Sequence, residues 1–188
     1  SAIRFESGAS SNTFTNVTTS ASNSTLYHVD FSVASINGNR FRDMSNIERY
    51  RIVGAGGTVI FEDSRFGEIK FLSAINGTNN SLGADIIISN NTMRVNAFQK
   101  GLNASANLTF YGLSTGFTNP AILLDGANCP ASVCYNFTSL NAGTVVINVT
   151  HWKTNYSIGE SSDTTAPALT LAYPTNTTYT AVQTALNF

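Results

Sequence analysis

The stretch Glu68-Ile-Lys-Phe-Leu-Ser73 decides the fold class, because its large apolar side chains recur at every second position. Ile69 and Phe71 would share one face of a β-strand, since successive side chains of a strand point to opposite faces. Similar runs follow about every 10 to 13 residues, separated by clusters of Gly, Asn, Asp and Ser. A helical period is confined to a short stretch around Asp43–Arg49. The sequence therefore predicts an all-β protein.

Strand candidates cover most of the chain, and turn residues separate them. Asn76-Gly77, Asn90-Asn91 and Asp125-Gly126 lie where tight turns are expected. The candidate strands are Leu26–Val33, Tyr50–Val53, Thr58–Glu62, Glu68–Ser73, Ala84–Ser89, Thr92–Ala97, Leu108–Tyr111, Ala121–Leu124, Val133–Phe137, Thr144–Thr150, Ala168–Ala172 and Ala181–Phe188.

Composition and pattern divide the chain into three segments. Residues 47–160 carry most of the apolar alternation and are predicted to form a β-sandwich with a small disulfide loop. Residues 1–46 form an N-terminal strand segment, either a β-helix remnant or a donor strand. Residues 161–188 are predicted to hold a linker and a pair of Ig-like strands. The small, polar stretch Ser157–Asp163 is typical of a linker.

A short internal echo favours the β-helix interpretation of the N-terminal segment. Asn12–Thr18 and Asn39–Ser45 both follow the pattern Asn-x-Phe-x-Asn/Asp-apolar-Thr/Ser, with a spacing of 27 residues. Repeats of this length with an asparagine at the turn are typical of coils in a parallel β-helix. Coincidence in a chain rich in Asn and Thr explains two copies equally well, so both interpretations stay open.

The surface of this protein must rely on uncharged polar groups. Charged residues make up only 11% of the 188 residues, and the net charge is −1. Soluble domains typically carry about 25% charged residues. Asn, Ser and Thr replace them, with 22, 21 and 23 copies respectively. The charge argues against nucleic acid as a partner, and no apolar run has the length of a membrane-spanning helix.

Glycan acceptor triplets are about twice as frequent as the composition predicts. Eleven asparagines begin Asn-x-Ser/Thr with no proline in the middle, whereas chance would give roughly five. N-glycans would keep so uncharged a surface from pairing edge to edge. The alternative is that Asn and Thr are simply common in turns and on strand faces. The predicted N-glycosylation sites are Asn16, Asn23, Asn76, Asn79, Asn90, Asn103, Asn107, Asn136, Asn148, Asn155 and Asn176.

The two cysteines, Cys129 and Cys134, are predicted to form a disulfide that closes a small loop. Loop entropy gives such a crosslink about 2 kcal/mol of stabilisation. A metal site would need further ligands, and His28 and His151 lie far apart in the sequence. No metal site is therefore predicted. A disulfide and N-glycans both indicate an extracellular location.

Both ends of the sequence contain alternating stretches that could add a strand to another sheet. Burying the apolar face of Ala181–Phe188 would contribute on the order of 6 kcal/mol before ordering costs. Strand donation from both ends predicts a head-to-tail homopolymer. Pairing within the chain, or a boundary of a longer protein, is the alternative. The residues of the predicted assembly strands are Ile3, Phe5, Val182, Leu186 and Phe188.

The sequence offers no catalytic constellation, and neither an enzyme activity nor a cofactor is predicted. Glu62 and Asp63 are neighbours, so on a strand they would point to opposite faces rather than flank one bond. Trp152 and Tyr156 could offer a sugar-stacking platform, although packing in the core or at an edge is favoured. His151 lacks a nucleophile motif to act with and is predicted to cap the sandwich edge.

Six stretches of the central segment carry a family likeness. They are Glu62–Leu72, Ala84–Thr92, Gly101–Leu113, Phe117–Gly126, the Cys129–Cys134 loop and Gly143–His151. Together they resemble a module of large, heavily N-glycosylated extracellular proteins of archaea, in which the module follows β-helix repeats and precedes Ig-like repeats. The resemblance implies an archaeal envelope protein without catalytic residues.

The C-terminal segment carries a second resemblance. Asp163–Tyr179 contains an acidic residue, two prolines around an apolar–polar alternation, and a turn rich in Thr and Asn. It is similar to the opening of Ig-like modules on microbial surface proteins. Such a module needs roughly 80–100 residues, so the resemblance implies a partial domain or strands that join another sheet.

These observations predict a non-catalytic structural protein of the cell surface. It would be a glycosylated subunit of an archaeal, pilus-like filament or of an envelope (S-) layer, assembled by strand donation. The alternative is an adhesin or carbohydrate-binding module within a larger surface protein. A third class, β-helix enzymes of the polysaccharide-lyase kind, is disfavoured because their repeats and acid cluster are missing. The start at Ser1 rather than Met is expected of a processed or trimmed chain.

Overall fold

The computed structural model describes residues 3–6, 8–19, 27–31, 37–44, 47–53, 58–78 and 81–161. This part of the chain contains sixteen strands, one turn of α-helix (α1, Leu82–Asp85) and one 3-10 helix (Lys100–Leu102). The strands are β1 Ile3–Arg4, β2 Thr13–Thr15, β3 Val29–Phe31, β4 Asn39–Arg42, β5 Tyr50–Ile52, β6 Val59–Asp63, β7 Gly67–Phe71, β8 Gly77–Thr78, β9 Ile86–Ser89, β10 Thr92–Val95, β11 Ala106–Phe110, β12 Pro120–Leu124, β13 Ala127–Asn128, β14 Cys134–Asn136, β15 Val145–Val149 and β16 Asn155–Glu160.

The strands form three sheets that pack on one another, which confirms the predicted all-β class with a sandwich core. A seven-stranded sheet has the order β14-β15-β11-β7-β6-β4-β2 and is called the long sheet below. A four-stranded sheet, β1-β3-β5-β8, and a five-stranded sheet, β13-β12-β16-β10-β9, are the other two. Buried residues from all three sheets belong to one apolar core.

Parallel coils form the first part of the fold, as the internal echo suggested. β1, β3 and β5 pair in parallel, and so do β2, β4 and β6. Phe14 pairs with Phe41, and Phe41 with Phe61, so that equivalent residues of successive coils lie side by side. Their rings stack with centroids 5.5 and 5.7 Å apart. The spacing of 27 residues in the sequence is therefore the register of the first two coils.

An asparagine ladder accompanies the rings. The buried Asn39 accepts hydrogen bonds from the backbone and side-chain N–H groups of Asn12, both at 3.1 Å, and donates to the carbonyl of Ala9 at 2.8 Å. Asn16 and Asp43 hold equivalent positions in the two echoed stretches and have the same left-handed backbone, each at φ 53°. Asn and Asp tolerate this conformation better than most residues, which explains why the echo contains them.

A hairpin between β6 and β7 changes the long sheet from parallel to antiparallel pairing. β6 pairs in parallel with β4 on one side and antiparallel with β7 on the other. Gly67 opens β7 at φ +148°, and a Cβ there would lie 2.0 Å from the carbonyl oxygen of Thr109. Only glycine fits this close approach. The long sheet therefore continues without a break from the coils into the sandwich.

The antiparallel half has the alternation that the sequence predicted. One inward row runs from Phe61 through Ile69 and Leu108 to Ile147, each of them buried. The five-stranded sheet covers this half, and Trp152 bridges the layers. Its ring lies 6.4 Å from that of Phe71 and 5.3 Å from that of Tyr156.

The structure corrects some of the sequence predictions, and others fall outside the described residues. The described residues of Asp43–Arg49 are not helical, and the one α-helical turn is α1. The predicted linker Ser157–Asp163 is wrong up to Glu160, because these residues belong to β16. This strand pairs with β10 on one side and with β12 on the other. The inward residues of β16, Tyr156 and Ile158, give this strand a buried face, although the other residues around them are small and polar. The predicted Ig-like strands lie outside the described residues, and the long sheet crosses the predicted boundary at residue 46.

Candidate functional site

The predicted glycan acceptors lie on the surface wherever the structure describes them. Five are exposed and three are half-buried, and none of these eight is buried. The one buried asparagine among the described residues, Asn39, does not begin an acceptor triplet. Asn23, Asn79 and Asn176 lie outside the described residues. The exposed acceptors are Asn16, Asn76, Asn90, Asn103 and Asn136, and the half-buried ones are Asn107, Asn148 and Asn155.

Two acceptors, Asn107 and Asn148, face each other across β11 and β15 on the outer face of the long sheet. The Asn148 side-chain nitrogen donates to the side-chain oxygen of Asn107 at 3.0 Å and to the carbonyl of Ala106 at 3.4 Å. Tyr135 of β14 lies directly opposite Asn148 on its other side. Lys70 of β7 lies opposite Asn107. The acceptor pair therefore occupies the middle of one outward row.

Two exposed aromatic rings stand at the end of this face. Tyr135 and Phe137 each expose 52% of their surface, and their ring centroids lie 4.6 Å apart in an edge-to-face arrangement. β14 is the last strand of the long sheet within the described residues. Most aromatic rings of this size are buried, so the pair marks a surface that other groups can cover.

The opposite half of the outer face is an ion-pair network. Arg40 donates from one nitrogen to Glu62 and, at 2.6 Å, to Glu68, and Arg42 also lies near Glu62. Asp63, the neighbour of Glu62, instead binds Arg65, whose hydrogen bonds hold the pKa of Asp63 below its usual value. As expected from strand geometry, the two adjacent carboxylates have separate partners and do not face one another.

A cleft of about 460 Å³ lies between the coils and β9. Its floor includes Phe41 and Phe61, and Glu48 stands at its wall. Ile86, Ile87 and Ile88 all line it. Because alternate residues of a strand point to opposite faces, three consecutive residues can line one cleft only along the edge of the strand. The cleft therefore follows the outer edge of β9, which ends its sheet among the described residues. We name it the β9 cleft.

The disulfide between Cys129 and Cys134 is formed, as predicted. Cys134 is buried at the start of β14, and the backbone N–H groups of Val133 and Cys134 both donate to the carbonyl of Pro130. The crosslink therefore closes the tight turn that leads into the strand with the two exposed rings.

The favoured prediction for Trp152 and Tyr156, packing in the core, is confirmed, and a sugar-stacking platform formed by these two rings is excluded. Trp152 and Tyr156 expose 1% and 0% of their surface, because both fill the space between the long and the five-stranded sheets. The Tyr156 hydroxyl donates to the carbonyl of His151 at 2.5 Å. Burial, together with the nearby charge of Asp125, raises the pKa of Tyr156 to about 12. Neither ring can therefore meet a ligand from solvent.

A buried carboxylate joins the coils to the sandwich. Asp85 is fully buried and accepts hydrogen bonds from Tyr50 (2.6 Å), Asn96 (2.7 Å) and Gln99 (2.6 Å). Burial and the bond to Asp85 raise the pKa of Tyr50 above its usual value. Tyr50 opens β5, which with β6 forms the third coil, whereas Asn96 and Gln99 follow β10. These neutral donors make the cluster a polar fastening inside the core.

The assembly residues predicted at the N-terminal end are placed in the chain's own core. β1 pairs with β3, Phe5 is 2% exposed, and its ring stacks on that of Phe31 at 3.9 Å. Ile3 is half-buried against the same cluster. At this end the alternative, pairing within the chain, therefore applies, because these side chains are already covered. Val182, Leu186 and Phe188 lie outside the described residues.

Comparison with known proteins does not assign a function to these surfaces. No family model, no curated protein and no solved structure matches this chain. Its function must be inferred from its own residues.

The described residues contain no cluster of three or more His, Cys, Asp and Glu side chains that could hold a metal ion. None of their helices is long and apolar enough to cross a membrane.

Sequence reasoning missed two features of the surface. The exposed pair Tyr135 and Phe137 lay within a predicted strand, Val133–Phe137, and their spacing of two was the available signal that they share a face. The β9 cleft left no local signal, because residues far apart in the sequence form its walls.

Proposed function

We propose that this chain is a non-catalytic, N-glycosylated structural module of an extracellular surface. The observation that carries the proposal is the placement of the acceptor triplets. All eight that the structure describes keep their asparagine at least partly accessible, while the asparagine it buries is not an acceptor. An N-glycan needs an accessible asparagine, so the pattern is the one expected of a glycoprotein.

Charge and covalent chemistry support the same proposal. With 11% charged residues, the surface has few charges to prevent sheets from pairing edge to edge. Bulky glycans on the outer face would supply that protection. The disulfide between Cys129 and Cys134 fits an oxidising compartment outside the cytoplasm.

The resemblance of the central segment to modules of archaeal surface proteins supports an archaeal envelope as the setting. Parallel coils that continue into a sandwich, the order seen in residues 3–161, are the order that this resemblance implies. The carbohydrate-binding alternative has lost the platform on which it rested, because Trp152 and Tyr156 are buried.

We further propose that copies of the chain assemble by strand addition at the β9 cleft. The edge of β9 presents three isoleucines near Phe41 and Phe61, and this apolar part of the cleft suits an added strand with apolar side chains. Acidic residues also line the cleft: Asp43, Glu48, Glu62 and Asp63. Ala181–Phe188 offers such a strand, with Val182, Leu186 and Phe188 on one face. A donor strand in this cleft would also cover an edge that otherwise invites aggregation.

Secreted expression with mass spectrometry tests the glycoprotein proposal. The chain is produced through a glycosylating secretory pathway, and occupancy is read as the ¹⁸O label left after enzymatic glycan removal. We expect several occupied acceptors and no free thiol at Cys129 or Cys134. Bare asparagines throughout, with both thiols free, would refute an extracellular glycoprotein.

Matched charge substitutions test the assembly proposal. V182D together with L186D places two carboxylates on the apolar face of the donor strand, and Q183D together with A185D places two on its other face. We expect the first pair to abolish polymers in electron micrographs and sedimentation, and the second to leave them. I87K in the β9 cleft should act like the first pair. Equal effects of both pairs would exclude this face as the donor.

A further inference from the structure

Asn107 and Asn148 form an acceptor pair whose members differ in the hydrogen bonds that they make. The side-chain nitrogen of Asn148 donates twice, to Asn107 and to the carbonyl of Ala106. An amide nitrogen has two hydrogens, so both are used. A glycan on Asn148 would replace one of them and break one of these bonds.

The carbonyl of Ala106 fixes the orientation of this pair. A carbonyl accepts hydrogen bonds only, so the group of Asn148 that faces it must be the nitrogen. Asn107 must then present its oxygen to that nitrogen, at 3.0 Å. The side-chain nitrogen of Asn107 has no hydrogen-bond partner among residues 3–161 that the structure describes. It can carry a sugar without loss of an existing bond.

The exposed ring pair lies within reach of a sugar on Asn107. Asn107, Asn148 and Tyr135 occupy one row on three neighbouring strands. Two strand spacings amount to about 10 Å, a distance that the linking amide and one pyranose ring can bridge. The apolar face of a pyranose ring packs well on an aromatic ring. Tyr135 and Phe137, each 52% exposed, offer such a surface at the end of the row.

We propose that Asn107 is the glycosylated member of the pair, that Asn148 stays bare and holds its side chain, and that the first sugars lie over Tyr135 and Phe137. This inference rests on the proposed glycoprotein function and specifies one of its sites. It assigns the exposed rings to a glycan of the same chain rather than to another protein.

Two substitutions separate the acceptors without disturbing their hydrogen bond. T109V removes the triplet of Asn107, and T150V removes that of Asn148, while both asparagines remain. We expect Asn107 to be occupied about fivefold more often than Asn148, the factor to which one lost hydrogen bond corresponds. T109V should then remove one glycan from the intact mass, and T150V should remove none. Asn148 occupied as often as Asn107 would overturn the inference.

Asn16 and Asn90 provide the control that keeps the two proposals apart. Both are exposed and lie away from this row. If they are occupied while Asn107 is bare, the inference about the pair fails and the glycoprotein proposal stands. If every acceptor of the chain is bare, the glycoprotein proposal fails as well.

Hydroxyl-radical footprinting tests where the sugars lie. Labelling of Tyr135 and Phe137 should be several-fold lower in the glycosylated chain than after enzymatic glycan removal. T109V should show the high labelling in both states, and the exposed Phe98 should be labelled equally in every sample. Equal labelling of Tyr135 with and without glycan would overturn the stacking part of the proposal.

Discussion

The parallel coils and the antiparallel sandwich share the long sheet but bury different kinds of side chain. In the coils, Thr19, His28, Asp30 and Asn39 are buried beside stacked phenylalanine rings. In the sandwich, the rows that face inward are apolar, both aliphatic and aromatic, and among the described residues outside the coils Asp85 is the buried charged residue. The same sheet therefore covers a core with buried polar groups at one end and an apolar core at the other.

Strand direction explains the difference. In parallel coils each residue lies beside its equivalent in the next coil, so identical groups stack, as Asn12 on Asn39 and Phe14 on Phe41. Stacking of like groups places amides beside amides and rings beside rings. A buried amide in such a stack therefore finds a hydrogen-bond partner in the neighbouring coil. Antiparallel neighbours are unrelated in sequence, and alternating apolar side chains suit them best. The coils should therefore depend on nearest neighbours, and the sandwich on contacts across the whole layer.

Phe41→Ala should have the largest effect and tests this difference most directly. Its ring contacts four other phenylalanine rings, and its removal should lower the free energy of unfolding by about 3–5 kcal/mol. Phe71→Ala is the matched change in the sandwich. Hydrogen exchange should show loss of protection confined to the coils for Phe41→Ala, and a shift of the whole protein for Phe71→Ala. Identical exchange patterns would mean that the two regions unfold as one.

Asp85→Asn should weaken the joint between the two regions. The new amide nitrogen would face the donors of Asn96 or Gln99, so buried donors lose their acceptor, at about 2–4 kcal/mol. Urea unfolding, followed by circular dichroism, should show a lower midpoint and a less steep transition. Asp125→Asn, an exposed aspartate whose oxygen accepts from the backbone of Asn155, is the control and should change stability little. A wild-type transition for Asp85→Asn would show that the fastening is not needed.

High pH should destabilise the sandwich through Tyr156. Its pKa is raised to about 12 in the folded protein from an ordinary value of 10.0, so its stabilising contribution is complete below pH 10 and is lost as the pH rises through 12. Two pKa units correspond to about 2–3 kcal/mol. Tyr156→Phe should flatten the fall in unfolding free energy between pH 10 and 12. An unchanged slope would exclude Tyr156 as the source.

Asn12→Ala should have the smallest effect. Asn12 is exposed, and the substitution removes one side-chain hydrogen bond to Asn39 while the backbone bond remains, so a loss of about 0.5–1 kcal/mol is expected. Asn39→Ala should cost more, because it also leaves the carbonyl of Ala9 without its donor. Thermal unfolding of both variants measures the order. A larger loss for Asn12→Ala would contradict a ladder centred on Asn39.

Local patterns predicted those parts of the fold that depend on local sequence. The alternation of Glu68–Ser73 and Thr92–Ala97 marked β7 and β10, and the echo from Asn12 to Asn39 contained the register of the coils. Phe61 continues the stack of phenylalanine rings, but the residue two positions before it is Val59 and not an asparagine. The third coil therefore could not be recognised from the echo. β16 was missed because glycine and serine outweighed the two inward residues on which it depends.

The candidate surfaces were less predictable than the fold. The triplets identified the acceptors residue by residue, but that Asn107 and Asn148 face each other depends on a pairing between segments 41 residues apart. The exposure of Tyr135 and the burial of Trp152 depend on where each sheet ends and which layer covers it. Such facts are tertiary, and composition does not contain them.

The unbroken long sheet has a mechanical consequence. A force that pulls on the first coil would load β2 first, then β4 and then β6. Each of these strands pairs only with its neighbours in the long sheet as described. We expect the rungs to peel away one at a time at low force, with a stepwise extension, until the load arrives at the antiparallel strands. Such a module would lengthen under load by unfolding its coils, while its antiparallel sandwich stays folded.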